Sequence, residues 1–193
     1  MADWDEDSPI LCANLTRLLN FIRDDARARK PLSVEDARMW QVETMRNLVP
    51  AREIYIGRFR GEKGLEDTGV RIGPYSGVAP WEVKKALGAF EKSLHEMLAD
   101  FDKSFSVGAT VTQENLLDIL EFCAWVHAEW VRIHPFANGN GRTARLWANA
   151  IAMRYGLPPF VRLRPRPGDG YTQAAKAAMI GDWEASVPVF WKC

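Results

Sequence analysis

One stretch of this chain, from His134 to Arg145, constrains the fold and the chemistry more than any other segment. It places a histidine, two glycines on either side of an asparagine, and two arginines ahead of an apolar helical pattern that begins at Leu146. A glycine-rich turn that opens a helix presents unpaired backbone N–H groups at the positive end of the helix dipole. The segment therefore predicts a turn followed by a helix, with an anion-binding loop at the helix start.

The residue types in this segment suit phosphate binding next to a general base. Gly139 and Gly141 can adopt positive φ and let a ligand approach the backbone closely. Arg142 and Arg145 lie on one face of the predicted helix and can donate paired hydrogen bonds to phosphate oxygens. His134 is the side chain best suited to accept a proton near neutral pH. A base beside a phosphate-binding loop indicates transfer of a phosphate-containing group to a hydroxyl.

Purely structural interpretations of these residues stay open. His134 could cap the helix that precedes it, and the two arginines could form a solvated helix face. The loop itself favours function, because a helix start needs one glycine rather than two flanking Asn140. Phe136 is interpreted as an apolar anchor that holds the loop against the core. His127 lies on the apolar face of a helical pattern, which favours a core histidine over a catalytic one.

Composition and charge are those of an ordinary soluble globular domain. The chain has 193 residues, 47% apolar and 26% charged, with a formal net charge of zero. We therefore expect no nucleic acid and no anionic membrane as partner, and no apolar run is long enough to span a bilayer. Three cysteines without metal-ligand spacing, and no leader pattern, predict a reduced cytoplasmic location. Delivery into a host cell by a secretion system stays open.

Helical periodicity covers most of the chain and predicts an all-α fold. The helical segments are 9–28, a stretch from Ser33 to before Pro50, 81–101, 113–132, the stretch after the loop up to Tyr155, and 171–180. Glycines and prolines interrupt this pattern from 51 to 80, where Ile54–Ile56 and Val70–Ile72 read as short β-like pieces. We expect N-terminal helices over 1–50 and a core domain over 51–193, packed as a single compact unit with a hairpin-like insert.

The segment from His134 to Arg145 resembles the motif of the Fic family, His-x-Phe-x-Asp/Glu-Gly-Asn-Gly-Arg-x-x-Arg. It matches every fixed position except one, because Asn138 stands where the family has Asp or Glu. The motif is long and joins chemically different residue types, so a chance match is not expected. A looser similarity extends over roughly residues 50 to 190. The resemblance implies a Fic-type helical bundle with a small β-hairpin flap.

For function, the resemblance implies AMPylation, the transfer of AMP from ATP to a Ser, Thr or Tyr hydroxyl of a target protein, with Mg²⁺ as cofactor. His134 would be the general base, and the backbone from Gly139 to Gly141 would hold the α- and β-phosphates. Arg142 would assist catalysis at the β-phosphate, and Arg145 would contact the γ-phosphate. Gly141 favours nucleotidyl transfer, since the Doc-like branch, which is associated with phosphate transfer, has lysine there.

Two further regions receive roles from the same resemblance. The insert from Leu65 to Pro80 lies where the family has a flap that holds the target as an extended strand. Its target-binding arm would be Thr68, Gly69, Val70, Arg71 and Ile72. Tyr171, with Asp169 and Ala174, is expected to line the nucleoside pocket and to offer an aromatic face to the base.

Asn138 leaves three alternative functions open. A carboxylate at this position would hold Mg²⁺ between the phosphates, and a neutral amide oxygen binds a hard cation less tightly. The enzyme could work with Mg²⁺ anchored mainly by phosphates and water, at a reduced rate. Alternatively, the protein is a nucleotide-binding regulatory module with weak or lost catalysis. A third interpretation keeps the fold and changes the donor to UTP, GTP or a phosphocholine carrier.

A short match to the family's inhibitory helix, from Thr110 to Asn115, is rejected. This segment opens the helix that runs into the motif, and Glu114 lies twenty residues before His134, roughly 30 Å along a helix. Thr110 with Gln113 is interpreted as a capping box instead. The sequence contains no second match. We therefore expect either a separate antitoxin-like inhibitor protein or no inhibition of this type.

Overall fold

The computed structural model describes residues 7–108, 110–165, 167–168 and 170–193. Over these residues the chain forms seven α-helices and one antiparallel hairpin, which confirms the predicted all-α fold with a small hairpin. The helices are α1 (Pro9–Arg27), α2 (Val34–Met45), α3 (Val83–Ser104), α4 (Gln113–Ile133), α5 (Asn140–Arg154), α6 (Tyr171–Ala178) and α7 (Val187–Phe190). Short 3₁₀ turns lie at Glu53–Tyr55, Pro80–Glu82 and Glu184–Ser186. No helix of the described part of the chain is long and apolar enough to cross a membrane.

The first two helices begin at side-chain caps that the sequence encodes. The Ser8 hydroxyl accepts a hydrogen bond from the Leu11 N–H at 3.2 Å, and Pro9 occupies the first helical position, where no N–H is needed. At the start of α2, the Asp36 carboxylate accepts from the Ser33 N–H at 2.7 Å. The helix start predicted at Ser33 is confirmed.

The predicted capping box at the start of α4 is wrong by two residues. The helix begins at Gln113, and its cap is Thr112, whose hydroxyl accepts from the Asn115 N–H at 3.3 Å. Gln113 is therefore the first helical residue, two positions before the third position of the helix, where a capping box needs its Glu or Gln. α4 then runs unbroken to Ile133. Glu114 and His134 therefore lie at opposite ends of one helix, which agrees with the rejection of an inhibitory helix at 110–115.

α5 is the central helix of the bundle. It packs against α1, α2 and α4, and nearly all of its residues are buried. The Trp130 indole donates to the Thr143 hydroxyl at 2.8 Å, and the Cys123 thiol lies 3.3 Å from the Ala148 carbonyl. Later residues of α4 thus meet earlier residues of α5, so the two helices are antiparallel. The short segment that joins them is the motif loop, which lies at one end of this buried pair. The domain division at residue 50 stays a prediction.

A cluster of aromatic rings joins α5 to its neighbours. The Trp147 ring lies 4.8 Å from Trp40 of α2, 5.5 Å from Phe90 of α3 and 5.7 Å from Trp130 of α4, measured between centroids. The first two pairs meet edge to face, the arrangement that the charge distribution of aromatic rings favours. This cluster fixes the helices that carry the motif loop.

The far end of α5 is tied to α3 by an ion pair. The Arg154 guanidinium donates to the Asp102 carboxylate at 2.6 and 3.2 Å, and the Tyr155 hydroxyl donates to the same carboxylate at 3.0 Å. Partial burial raises the pKa of Asp102, but the hydrogen bonds from Arg154 and Tyr155 outweigh it and keep the pKa below its usual value. The carboxylate is therefore charged at neutral pH.

The insert forms a minimal hairpin. Strands β1 (Arg71–Ile72) and β2 (Tyr75–Ser76) pair antiparallel, with the turn at Gly73, whose φ is 58°. The Gly77 N–H donates to the Val70 carbonyl at 3.1 Å and extends the pairing by one step. Of the two predicted β-like pieces, only 70–72 contributes a strand. The other is wrong, because Glu53–Tyr55 is a 3₁₀ turn.

Candidate active site

A cavity of about 450 Å³ opens at the start of α5, between the end of α4, the hairpin and α6. Most of the predicted site residues line it, namely His134, Asn138, Gly139, Asn140, Gly141, Arg142, Arg145, Tyr171, Arg71 and Ile72. Thr68, Gly69 and Val70, the other residues of the predicted target-binding arm, are not part of this lining. Arg164 and Thr172 line the cavity without having been predicted. Asp169 lies outside the described residues.

His134 ends α4 in a left-handed conformation, with φ 54° and ψ 55°. Its backbone N–H still donates to the Trp130 carbonyl at 3.0 Å, so the residue closes the helix before the chain turns. Its side-chain Nδ1 lies 3.0 Å from the Val131 carbonyl. A carbonyl only accepts, so Nδ1 carries the hydrogen and Nε2 carries the lone pair. The ring is thus held in the tautomer that can take a proton at Nε2.

The charge state of His134 also suits a base. Burial lowers its pKa to about 4. The hydrogen bond to the Val131 carbonyl opposes this shift, and the positive charge of Arg60 adds to it. The imidazole is therefore neutral at physiological pH, with its lone pair available.

The loop between the helices is held by a reciprocal pair of hydrogen bonds. The Asn140 side chain accepts from the Phe136 N–H and donates to the Phe136 carbonyl, both at 2.8 Å. Phe136 is fully buried and packs 4.8 Å from the Phe59 ring, which confirms its role as an apolar anchor. Gly139 takes φ 89°, a value that glycine adopts without strain. The loop is thus a fixed structure.

α5 presents backbone donors to the cavity. Its first backbone bond is donated by the Arg142 N–H to the Gly139 carbonyl at 3.0 Å, so the helix itself leaves the N–H groups of Asn140 and Gly141 for other acceptors. These donors lie at the positive end of the helix dipole. The geometry can therefore hold an anion.

The two motif arginines are buried, with 4% of Arg142 and 2% of Arg145 exposed. The Arg145 guanidinium donates to the Tyr171 hydroxyl and to the Leu163 carbonyl, each at 3.0 Å. A Cβ atom added at Gly141 would lie 3.4 Å from Nη1 of Arg145, so a larger side chain there would crowd this guanidinium. The size of the side chain at position 141 therefore limits the space available to the Arg145 guanidinium.

Tyr171 lines the cavity, and His127 lies behind it in the core. Tyr171 is largely buried, and the Arg145 guanidinium lies 5.5 Å from the centre of its ring. His127 is fully buried on α4, which confirms its prediction as a core residue. Ala174 is buried as well but does not line the cavity. The Tyr171 hydroxyl therefore forms its hydrogen bonds with buried side chains of the protein, Arg145 and His127. The expected contact of the Tyr171 ring with a nucleoside stays a prediction.

Asn138 contributes a buried side-chain oxygen to the cavity lining. Its Oδ1 is buried and accepts no hydrogen bond from any described residue. The described part of the chain contains no group of three His, Cys, Asp or Glu side chains that could hold a metal ion. Asn138 can therefore offer a cation one neutral oxygen, and the remaining ligands would have to come from a bound nucleotide and water.

One residue of this region, Arg60, has no signal in the sequence. It lies in the glycine-rich segment before the hairpin, where no periodicity applies. In the structure it is buried, and its Nε donates to the His134 carbonyl at 2.7 Å. Its contact is with a residue 74 positions away, which local patterns cannot reveal.

Comparison with known proteins identifies a matching family model and several relatives. A model described as the Fic/DOC family matches residues 31–152. Protein adenylyltransferase Fic of Nematostella vectensis is 32% identical over 143 residues, which cover 74% of this chain and 28% of that protein. Protein adenylyltransferase fic-1 of Caenorhabditis elegans is 34% identical over 118 residues, which cover 61% of this chain and 20% of that protein. The chain thus spans less than a third of either relative's length.

Solved structures show the same fold. A Fic domain containing signaling protein from Bacteroides thetaiotaomicron superposes with a TM-score of 0.65 at 19% identity, over 95% of this chain and 68% of the other. Fic-1 residues 134–508 from C. elegans gives a TM-score of 0.64 at 24% identity, over 93% of this chain and 46% of the other. At these identities the similarity concerns the fold alone.

Proposed function

Because this chain belongs to the Fic/DOC family, we propose that it transfers AMP from ATP to a serine, threonine or tyrosine hydroxyl of a target protein. The relatives named protein adenylyltransferase support this type of reaction. The observation that carries the proposal is the placement of a neutral His134 beside the start of α5 in one cavity. A base and an anion-binding helix start are the two parts that nucleotidyl transfer requires.

His134 acts on the target hydroxyl. Its Nε2 takes the hydroxyl proton while the hydroxyl oxygen attacks the α-phosphorus of ATP. A new bond forms between this oxygen and the α-phosphorus, and the bond from the α-phosphorus to the oxygen bridging toward the β-phosphate breaks. Pyrophosphate leaves with that oxygen, and AMP stays on the target as a phosphodiester. The low pKa of His134 keeps the lone pair available before the reaction.

The start of α5 stabilises the phosphates. The N–H groups of Asn140 and Gly141 and the helix dipole face the negative charge that develops on the α- and β-phosphates. Arg142 and Arg145 add two cations at the same end of the cavity. Because the loop and both arginines are already fixed and buried, little reorganisation is needed during the reaction.

Asn138 would be the protein's ligand for Mg²⁺. When bound, Mg²⁺ neutralises part of the phosphate charge. The unpartnered Oδ1 of Asn138 fits this role as one neutral oxygen. A cation held this way depends on the nucleotide for most of its binding, so the protein alone should bind Mg²⁺ weakly.

The hairpin would bind the target. Arg71 and Ile72 of β1 line the cavity, so an extended segment laid along β1 would bring its hydroxyl toward His134. Main-chain pairing of this kind tolerates many sequences and leaves selectivity to side chains.

The test is incubation of the purified protein with a target lysate and with ATP labelled at either the α- or the γ-phosphate. Label should transfer from α-labelled ATP and not from γ-labelled ATP, and His134→Ala should abolish the transfer. His95→Ala is the matched control, because the His95 ring bonds to the Leu32 carbonyl and does not line the cavity. Equal labelling by wild type and His134→Ala, or transfer of the γ-label, would reject the proposal.

The neutral Asn138 oxygen also favours a second candidate function, a nucleotide-binding regulatory module with weak or lost catalysis. This function predicts ATP binding that depends on Arg142 and Arg145, without transfer of label. A third candidate, a different donor, predicts label transfer from UTP, GTP or a phosphocholine carrier in the same assay.

A further inference from the structure

Arg60 is an almost completely enclosed cation that contacts the backbone of His134. Only 2% of its surface is exposed. Within the described residues no carboxylate lies within ion-pair distance of it, and burial alone lowers its pKa to about 10. The guanidinium is therefore still charged at neutral pH. Burying a charge without an opposite charge costs free energy, so other groups must compensate for it.

Backbone carbonyls provide that compensation. Arg60 Nε donates to the His134 carbonyl at 2.7 Å, and Nη2 donates to the Ile133 carbonyl at 3.0 Å. Both acceptors lie at the end of α4, where carbonyls have no helical partner and the dipole is negative. The Arg60 N–H also donates to the Pro135 carbonyl at 2.7 Å. One residue thus binds three consecutive carbonyls around the candidate base.

The same guanidinium reaches both ends of the hairpin segment. Nη1 donates to the Thr68 carbonyl at 3.2 Å, ahead of β1, and Nη2 donates to the Val78 carbonyl at 2.7 Å, after β2. Four carbonyls from three parts of the chain therefore converge on one side chain. A lysine could not reproduce this arrangement, because its ammonium lacks the planar fork of donors.

Close packing at Gly77 shows how tightly these parts are joined. A Cβ atom there would lie 2.7 Å from Cβ of His134 and 3.1 Å from Nη2 of Arg60. The hairpin, the candidate base and Arg60 therefore touch at one point, with no room for a methyl group.

We propose that Arg60 is a positioning residue that couples the hairpin to His134, so that a target segment held on β1 and the base keep a fixed relative position. The expected effect on AMP transfer rests on the proposed function, whereas the coupling of the hairpin to His134 does not. Arg60 touches neither reacting atom. It acts by fixing the backbone of His134 and both ends of the hairpin at once.

The test compares Arg60→Lys with Arg38→Lys in the full chain. Arg38 is the matched control, since it is a half-buried arginine that binds Glu62 and the Gly57 carbonyl and contacts neither the hairpin nor His134. Hydrogen exchange over 68–78 and the ring ¹⁵N shifts of His134 are measured alongside transfer of α-labelled AMP. We expect Arg60→Lys to accelerate exchange in the hairpin, shift the His134 ring signals, and lower kcat on the order of 10- to 100-fold. KM for ATP should change less than about twofold, because the phosphate loop is untouched.

Gly77→Ala provides a second variant that keeps Arg60 and its charge. The added methyl group should disturb the same contact from the hairpin side and give the same direction of change in exchange and in kcat. Wild-type exchange and wild-type His134 shifts in a folded Arg60→Lys protein, or in Gly77→Ala if Arg60→Lys does not fold, would overturn the coupling. If wild type transfers no label, the proposed function fails, while exchange and ring shifts still decide the role of Arg60.

Discussion

The Tyr171 hydroxyl lies 2.7 Å from Nε2 of His127, in the core behind the candidate site. The same oxygen accepts a hydrogen bond from Arg145 at 3.0 Å. Arginine only donates, so the hydroxyl oxygen is an acceptor toward Arg145, and the tautomer of His127 decides which partner donates in the bond between Tyr171 and Nε2. Burial, aided by the charge of Arg145, lowers the pKa of His127 to about 3, so this chain of bonds does not titrate at physiological pH.

Tyr171→Phe should weaken ATP binding by removing the hydroxyl that orients Arg145. One lost hydrogen bond to a charged group corresponds to roughly a 10-fold rise in Kd. Isothermal titration with ATP measures it. Tyr55→Phe is the control, because Tyr55 lies in the 3₁₀ turn Glu53–Tyr55 and does not line the cavity. An unchanged Kd would mean that the Leu163 carbonyl alone orients Arg145.

The rate of transfer should be insensitive to mild acid. A base works when it is unprotonated, so activity is present above the pKa of His134 and is lost as the pH falls through it. With that pKa lowered to about 4, kcat/KM should stay level from about pH 8 to pH 5 and decline only near pH 4. A pH–rate profile of kcat/KM checks this. An acidic limb near pH 6.5 would show that His134 titrates normally.

Folding stability, in contrast to the rate of transfer, should decrease as the pH falls from 6.5 to 5. His127 and His134 have pKa values lowered from 6.5 to about 3 and about 4, so below pH 6.5 the unfolded chain binds protons that the folded chain does not. The free energy of unfolding should therefore decrease as the pH falls from 6.5 to 5, by up to about 1.4 kcal/mol per pH unit for each histidine. Urea denaturation at several pH values measures the slope. His127→Gln should make it shallower, and an unchanged slope would contradict the assignment.

Local patterns predict the helices and the first strand of the hairpin, and the motif together with its family resemblance predicts most of the cavity lining. Helical period and caps are properties of neighbouring residues, and the motif loop brings its own residues together by connecting α4 to α5. The sequence predicts the cap of α4 at Thr110, because Gln113 follows it by three residues, whereas the structure places the cap at Thr112. Arg60 and the pairing of Asp102 with Arg154 were not predicted. Each joins residues more than 50 positions apart, and neither periodicity nor spacing shows which side chains of different elements meet.

Asp102→Asn should destabilise the protein, because it leaves Arg154 buried without its charged partner. The Arg154 side chain is only 5% exposed, and Asp102 is 30% exposed. We expect a loss of about 2 kcal/mol in the free energy of unfolding at pH 7. Asp100→Asn is the control on the same helix, since Asp100 and its partner Lys103 are 77% and 76% exposed, and it should cost less than about 0.5 kcal/mol. Equal losses in urea denaturation would show that the Asp102 pair is no stronger than a surface pair.

The neutral amide of Asn138 should set the Mg²⁺ requirement. Asn138→Asp replaces one buried neutral oxygen with a charged carboxylate at the same place, and hard cations bind carboxylates more tightly. We expect the Mg²⁺ concentration for half-maximal transfer to fall about 10-fold, with a higher rate at limiting Mg²⁺. A titration of Mg²⁺ in the α-label assay measures both.

Asn140→Asp separates this effect from a general effect of added negative charge at the loop. Asn140 both accepts from and donates to Phe136, and a carboxylate cannot donate, so this variant should lose the loop geometry and its activity. If Asn138→Asp and Asn140→Asp behave alike, the charge acts by repelling phosphate. If Asn138→Asp gains neither rate nor Mg²⁺ affinity while ATP still binds through Arg142 and Arg145, the regulatory module is the better description of this chain. A gain confined to Asn138→Asp identifies an enzyme whose turnover is limited by one neutral oxygen.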